Sequence, residues 1–115
     1  MRTVIVTAFG GPENLVLENQ PVPEVGPRQA LIGVEAAGVG YIDIMATTGQ
    51  YPSVTKPGFT PGFEVAGTVE AIGTGVDPTW VGRRVFAMPA TGGFAEKAVV
   101  DADKLIKVPD AVSSA

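Results

Sequence analysis

Along this chain apolar side chains recur at every second position over short stretches, each cut off by glycine or proline. That period of two is the mark of half-buried strands. Thr3 to Phe9 alternates around Val4, Val6 and Ala8 and stops at Gly10-Gly11-Pro12. Leu15 to Glu18 is a short hairpin partner for it. Gln29 to Ala37 predicts a third strand with Ala30, Ile32, Val34 and Ala36 on one face. Phe63 to Ile72 repeats the pattern with Phe63, Val65, Gly67, Val69 and Ala71, and Arg84–Met88, Phe94–Val100 and Lys104–Val108 follow. The period changes once. From Tyr41 to Thr48, Ile42, Met45 and Ala46 suit one side of two helical turns, and Gly49 stops them.

The breakers explain why the strands are short. Fifteen glycines and ten prolines are spread along 115 residues without repeat or cluster, as turns between strands require. Gln20–Arg28 holds Pro21, Pro23 and Pro27 and cannot pair continuously, and Pro52, Pro57 and Pro61 force an irregular loop between Tyr51 and Gly62. The expected fold is mainly β: one domain over residues 1–115, built as a small, irregular, partly open barrel with one or two short helices.

Composition narrows the chemistry. The chain has no cysteine and no histidine, so it carries no disulfide, no thiol nucleophile, no imidazole base and no Cys/His zinc site. A net charge of −4 with scattered basic residues argues against a nucleic-acid partner. With 45% hydrophobic and 17% charged residues, disorder is excluded. No apolar run reaches the roughly 20 residues of a membrane span, and the first residues lack the pattern of a signal peptide. The expectation is a cytoplasmic protein that does not engage membranes.

Carboxylates and tyrosines remain as candidates. Gly73-Thr74-Gly75 resembles the start of a dinucleotide fingerprint, but Pro78 stands where a third glycine belongs, so a turn is the reading. Glu64 sits among small and apolar residues, where a carboxylate is either paired inside the domain or faces a cleft; pairing is the simpler reading. Asp43 near the start of the helix suits the positive end of its dipole or an N-cap. Tyr51 lies in the Pro- and Gly-rich loop, either as a packing ring or as a hydroxyl offered to a substrate oxygen.

In their order, these pieces resemble the N-terminal, GroES-like domain of medium-chain dehydrogenase/reductases, and within them the zinc-free quinone oxidoreductases that include zeta-crystallin. The resemblance covers nearly the whole chain. It is carried by Phe9-Gly10-Gly11-Pro12, Ala37-Gly38-Val39 leading to Asp43, Gly49-Gln50-Tyr51-Pro52, and above all Pro61-Gly62-Phe63-Glu64-Val65-Ala66-Gly67. Gly82-Arg83-Arg84-Val85, Gly92-Gly93-Phe94-Ala95-Glu96 and Leu105-Ile106-Lys107-Val108-Pro109 complete it.

The resemblance implies a substrate-side domain with a Rossmann cofactor domain to follow it. It implies hydride transfer from NADPH or NADH to a quinone or an α,β-unsaturated carbonyl, in a full-length homo-oligomer. No cofactor is expected on this chain alone, nor activity. Gly40 and Phe63 stand where zinc members carry Cys and His, so no zinc is expected. Tyr51 and Asp43 are the implied catalytic residues, and Gly40, Tyr41, Phe63 and Glu64 the implied cleft. Quinone reductase relatives commonly have Asn, Tyr and Arg where this chain has Gly40, Met45 and Thr47. A non-catalytic GroES-like assembly or binding module is the alternative.

Overall fold

Two antiparallel sheets carry the chain in a computed structural model that describes residues 1–115. Strands β1 (Arg2–Val6) and β2 (Leu15–Asn19) form a hairpin. The main sheet has five strands in the order β6-β3-β4-β5-β7, namely β6 (Lys97–Asp101), β3 (Gln29–Ala37), β4 (Val65–Ile72), β5 (Arg84–Ala87) and β7 (Ile106–Lys107). The single α-helix, α1, spans Tyr41–Thr48 and ends on Gly49, whose left-handed φ of 84° closes the last turn. Its bounds and those of β3 coincide with the periodicity in the sequence.

The alternation along β4 translates directly into burial. Val65, Gly67 and Val69 are buried, and Val65 and Val69 pack with Ala30, Ile32, Val85, Ala87, Val100 and Leu105 into one core cluster. Half-buried Trp80 packs against the same cluster and anchors its turn. Each fully buried Val or Ile contributes roughly 1.5–3 kcal/mol. β3 departs from strict alternation. Leu31 is buried beside Ile32, and the pairing with β4 shifts register between these two residues. A second shift falls between Val34 and Ala36, leaving Glu35 without an opposite residue.

Several strands are shorter than their apolar patterns, because backbone groups at their ends find other partners. β1 stops at Val6 rather than Phe9: Thr7 N still donates to Asn14 O across the hairpin, but Asn14 N turns back to Gly11 O and Gly10 N reaches Thr47 O on α1. β4 begins at Val65 rather than Phe63, since Gly62 holds φ 105°. β6 begins at Lys97 because Gly93 and Phe94 donate to Gly62 O and Pro61 O. A short 3₁₀ turn at Ala102–Lys104 delays β7.

The barrel is open. The hairpin joins the rest through the 94–96 segment: Val4 N donates to Phe94 O, Glu96 N to Arg2 O, and Thr3 bridges Ala95. Glu96 Oε1 reinforces the seam by accepting from Arg2 N at 2.6 Å and Arg2 Nε at 3.3 Å. Those bonds, the backbone one foremost, hold the Glu96 carboxyl below its usual range. At this seam Thr3 is 4% exposed and its Oγ1 has no hydrogen-bond partner. Thr3→Val keeps the shape and removes the orphaned hydroxyl, so it should stabilise the chain by about 1 kcal/mol in a denaturant titration. A loss of stability instead would show that the hydroxyl is satisfied in solution.

Candidate functional site

Asp43 organises the region to which the motifs point. It is the third residue of α1, not its N-cap; that position belongs to Gly40, which has no side chain to offer. Asp43 is 4% exposed, and both of its oxygens are used. Oδ2 accepts from Gly40 N at 2.9 Å, closing the first helical turn. Oδ1 accepts from Gly62 N at 3.0 Å, nineteen residues away in the segment entering β4. One carboxylate thereby ties the helix to the Pro61–Glu64 segment, and its charge also suits the helix N-terminus.

Gly62 receives that bond in a crowded place. Gly93 N donates to Gly62 O at 3.0 Å, and Gly92 N donates to Thr60 O at 2.8 Å. The loop before β4 and the loop before β6 are laced together by their main chains. Phe63 then projects toward the Tyr51 loop, where the two rings meet edge to face with centroids 5.4 Å apart at 78°. Tyr51 is half-buried, and Val54 N donates to its carbonyl at 3.0 Å. The phenol makes no hydrogen bond to the protein, and it is not among the buried orphaned atoms, so it remains open to a ligand.

Gly40, Asp43, Phe63 and Tyr51 are therefore brought into one region. Gly40 is exposed, and a Cβ there would meet nothing within 4 Å, leaving free space in front of the helix N-terminus. Tyr41 projects outward, 72% exposed.

Glu64 takes a different place from the paired one that the sequence favoured. It is exposed, with no hydrogen-bonded or ionic side-chain partner, and its carboxylate lies over Gly38, where there is no Cβ to displace it. Glu64 opens on a cleft of about 410 Å³ between Ala36–Gly38 and Glu64–Ala66, closed further by Phe86, Ser114 and Ala115. Tyr51, Asp43 and Phe63 do not line this cleft. A carboxylate there keeps its hydration, which removes the desolvation cost that made a buried pair the simpler expectation.

Two further groups had no signal in the sequence. Glu35 accepts from Thr68 Oγ1 and Ser114 Oγ, both at 2.9 Å, and its carboxyl is held below the usual range, by Ser114 first and Thr68 second. Arg84 Nη2 donates to Val112 O and, at 3.3 Å, to Ser114 Oγ. These residues stand on three strands and the final segment, so no local pattern links them. Gly73-Thr74-Gly75 forms a turn beside β4, not the start of a helix. No three His, Cys, Asp or Glu side chains gather as a metal site, and no helix is long and apolar enough to cross a membrane.

Comparison with known proteins assigns the class. Residues 26–110 match the alcohol dehydrogenase GroES-like domain family, and the chain belongs to that family. Quinone oxidoreductases are among the relatives that the chain resembles in sequence and in structure. Quinone oxidoreductase of Lama guanicoe is 39% identical over 113 residues, which are 95% of this chain and 34% of that protein. The structure of a human synaptic vesicle membrane protein VAT-1 homolog-like protein superposes with TM-score 0.95 at 34% identity, over 99% of this chain and 37% of that one. Escherichia coli quinone oxidoreductase, solved in complex with NADPH, superposes with TM-score 0.92 at 28% identity, over 99% of this chain and 35% of that one. The chain thus spans about a third of the length of these relatives.

Proposed function

We propose that this chain is the substrate-side domain of a zinc-independent, NAD(P)H-dependent oxidoreductase that reduces quinones or α,β-unsaturated carbonyls. The observation that carries the reading is the Tyr51 hydroxyl, free of protein partners, on a ring held against Phe63 beside the helix that Asp43 ties down. Its relatives support the activity: a quinone oxidoreductase among the sequences, and another solved with NADPH among the structures.

The chain offers no glycine-rich cradle for a dinucleotide's phosphates, and in this reading a Rossmann domain that follows in sequence would hold them. Bound reduced nicotinamide would supply the hydride. The residues present here do the rest. Tyr51 donates a hydrogen bond, and then its proton, to the substrate oxygen, and solvent restores that proton. Phe63 holds the phenol by its edge-to-face contact and offers an apolar wall to a planar substrate. Asp43 acts through the backbone: by fixing Gly40 and Gly62 it sets the distance between the helix N-terminus and Phe63, which makes it a positioning residue. With Phe63 and Gly40 in place of zinc ligands, the substrate oxygen is activated by hydrogen bonding. A cytoplasmic location, a homo-oligomeric full-length form and inactivity of the isolated domain belong to the same reading.

The test is NADPH or NADH oxidation by the full-length protein with quinones and enones, with and without a chelator. Turnover that survives the chelator is expected. No turnover would favour a non-catalytic binding module. Within an active protein, Tyr51→Phe should lower kcat about a hundredfold, the usual scale for a lost proton donor. Its melting temperature should stay within about 2 °C, since no folded-state bond is removed. Unchanged kinetics would return Tyr51 to a packing role.

A further inference from the structure

The register shift between Val34 and Ala36 leaves Glu35 unpaired and aims its carboxylate across the neighbouring strand. There it meets Thr68 on β4 and Ser114 beyond β7, while Arg84 on β5 reaches Ser114 and the carbonyl of Val112. Ser114 Oγ therefore donates to a carboxylate and accepts from a guanidinium, a pairing of opposite charges through one hydroxyl. Thr68 and Arg84 face each other in the β4–β5 ladder, so the clasp stands on paired strands. Its consequence reaches the cleft, which Ser114 and Ala115 line together with Gly38 and Glu64.

We propose that Glu35, Thr68 and Arg84 are positioning residues that clasp Ser114, set the width of the Gly38–Glu64 cleft and fix the direction in which the chain leaves the domain. The inference rests on the oxidoreductase reading, in which the chain continues into a cofactor-binding domain. An error in that direction misaligns the two halves of the active site without disturbing either half. A misplacement of about 1 Å can cost on the order of a hundredfold in rate.

The experiment uses the full-length protein with Ser114→Ala, Glu35→Ala and the conservative Glu35→Gln, which keeps an acceptor for the Ser114 hydroxyl. In the two alanine variants kcat for quinone reduction should fall about tenfold or more, while KM and the Kd for NADPH hold within about twofold. Glu35→Gln should recover most of kcat. Hydrogen exchange of the Val112 amide, which donates to Pro109 O at 3.0 Å, should quicken in Glu35→Ala and stay slower in Glu35→Gln. Wild-type kinetics in both alanine variants, or a matching loss of NADPH binding, would overturn the proposal. If the wild-type protein neither binds NADPH nor turns over, the oxidoreductase reading has failed. The clasp is then judged on exchange alone, and unaltered exchange in Glu35→Ala removes it.

Discussion

Asp43→Ala is expected to lower the stability of this chain by about 3–6 kcal/mol, because two backbone amides lose charged partners worth roughly 1.5–3 kcal/mol each. The carboxylate is almost fully buried, and nothing else is bonded to Gly40 N or Gly62 N in its place. Total stabilities of single domains lie around 5–15 kcal/mol, so the variant should melt roughly 15 °C or more below wild type. Asp43→Asn separates charge from shape. Its carbonyl serves one amide, but its NH₂ must face the other, donor against donor, and about 2 kcal/mol should be lost. If calorimetry placed Asp43→Ala within 2–3 °C of wild type, the tie between α1 and the Pro61–Glu64 segment would not be structural. In the active protein Asp43→Asn should also lower turnover, through displacement of Phe63 and the Tyr51 ring.

The second large effect belongs to Gly62→Ala. Gly62 holds φ 105°, where L side chains are strained, and its Cβ would lie 2.5 Å from Phe94 N and 2.6 Å from Gly93 Cα. Both are main-chain atoms, laced to the same loop by hydrogen bonds, so neither swings aside as a side-chain tip would. Backbone strain and overpacking each cost about 1–3 kcal/mol, and their sum should approach that of Asp43→Ala. Gly58→Ala is the control. It shares a positive φ of 90° but has open space around it, so it should cost only about 1–2 kcal/mol. Equal destabilisation of the two variants in a urea titration would dismiss the close approach as the cause.

Some of the candidate residues named from the sequence lie together in the structure, but their arrangement was not legible. Tyr51, Phe63, Asp43 and Gly40 do come together. Asp43 was readable as a residue that suits a helix N-terminus, because capping is local. Its second bond, to Gly62, spans nineteen residues and leaves no periodic trace. The internal pairing that the local sequence favours for Glu64 is absent for a related reason. A carboxylate among apolar neighbours in sequence looks buried, but its exposure depends on whether another segment covers it, and Gly38 gives it room to lie on the surface. The Glu35–Ser114–Arg84 clasp had no signal at all, since its members are scattered from β3 to the end of the chain.

The sequence by itself determined the mainly β character, the bounds of β3 and α1, the valines of β4 that enter the core and the family. Each of these follows from period, turn residues or motif order, which act over a few residues at a time. The tertiary structure decided where strands give up their ladders, which oxygen of Asp43 serves which amide, that Glu64 opens on a cleft, and how Ser114 is clasped. Those outcomes depend on a backbone group or side chain finding its best partner among segments distant in sequence. In an open barrel of short strands many such groups lie at strand ends, where local pattern carries no information about the partner.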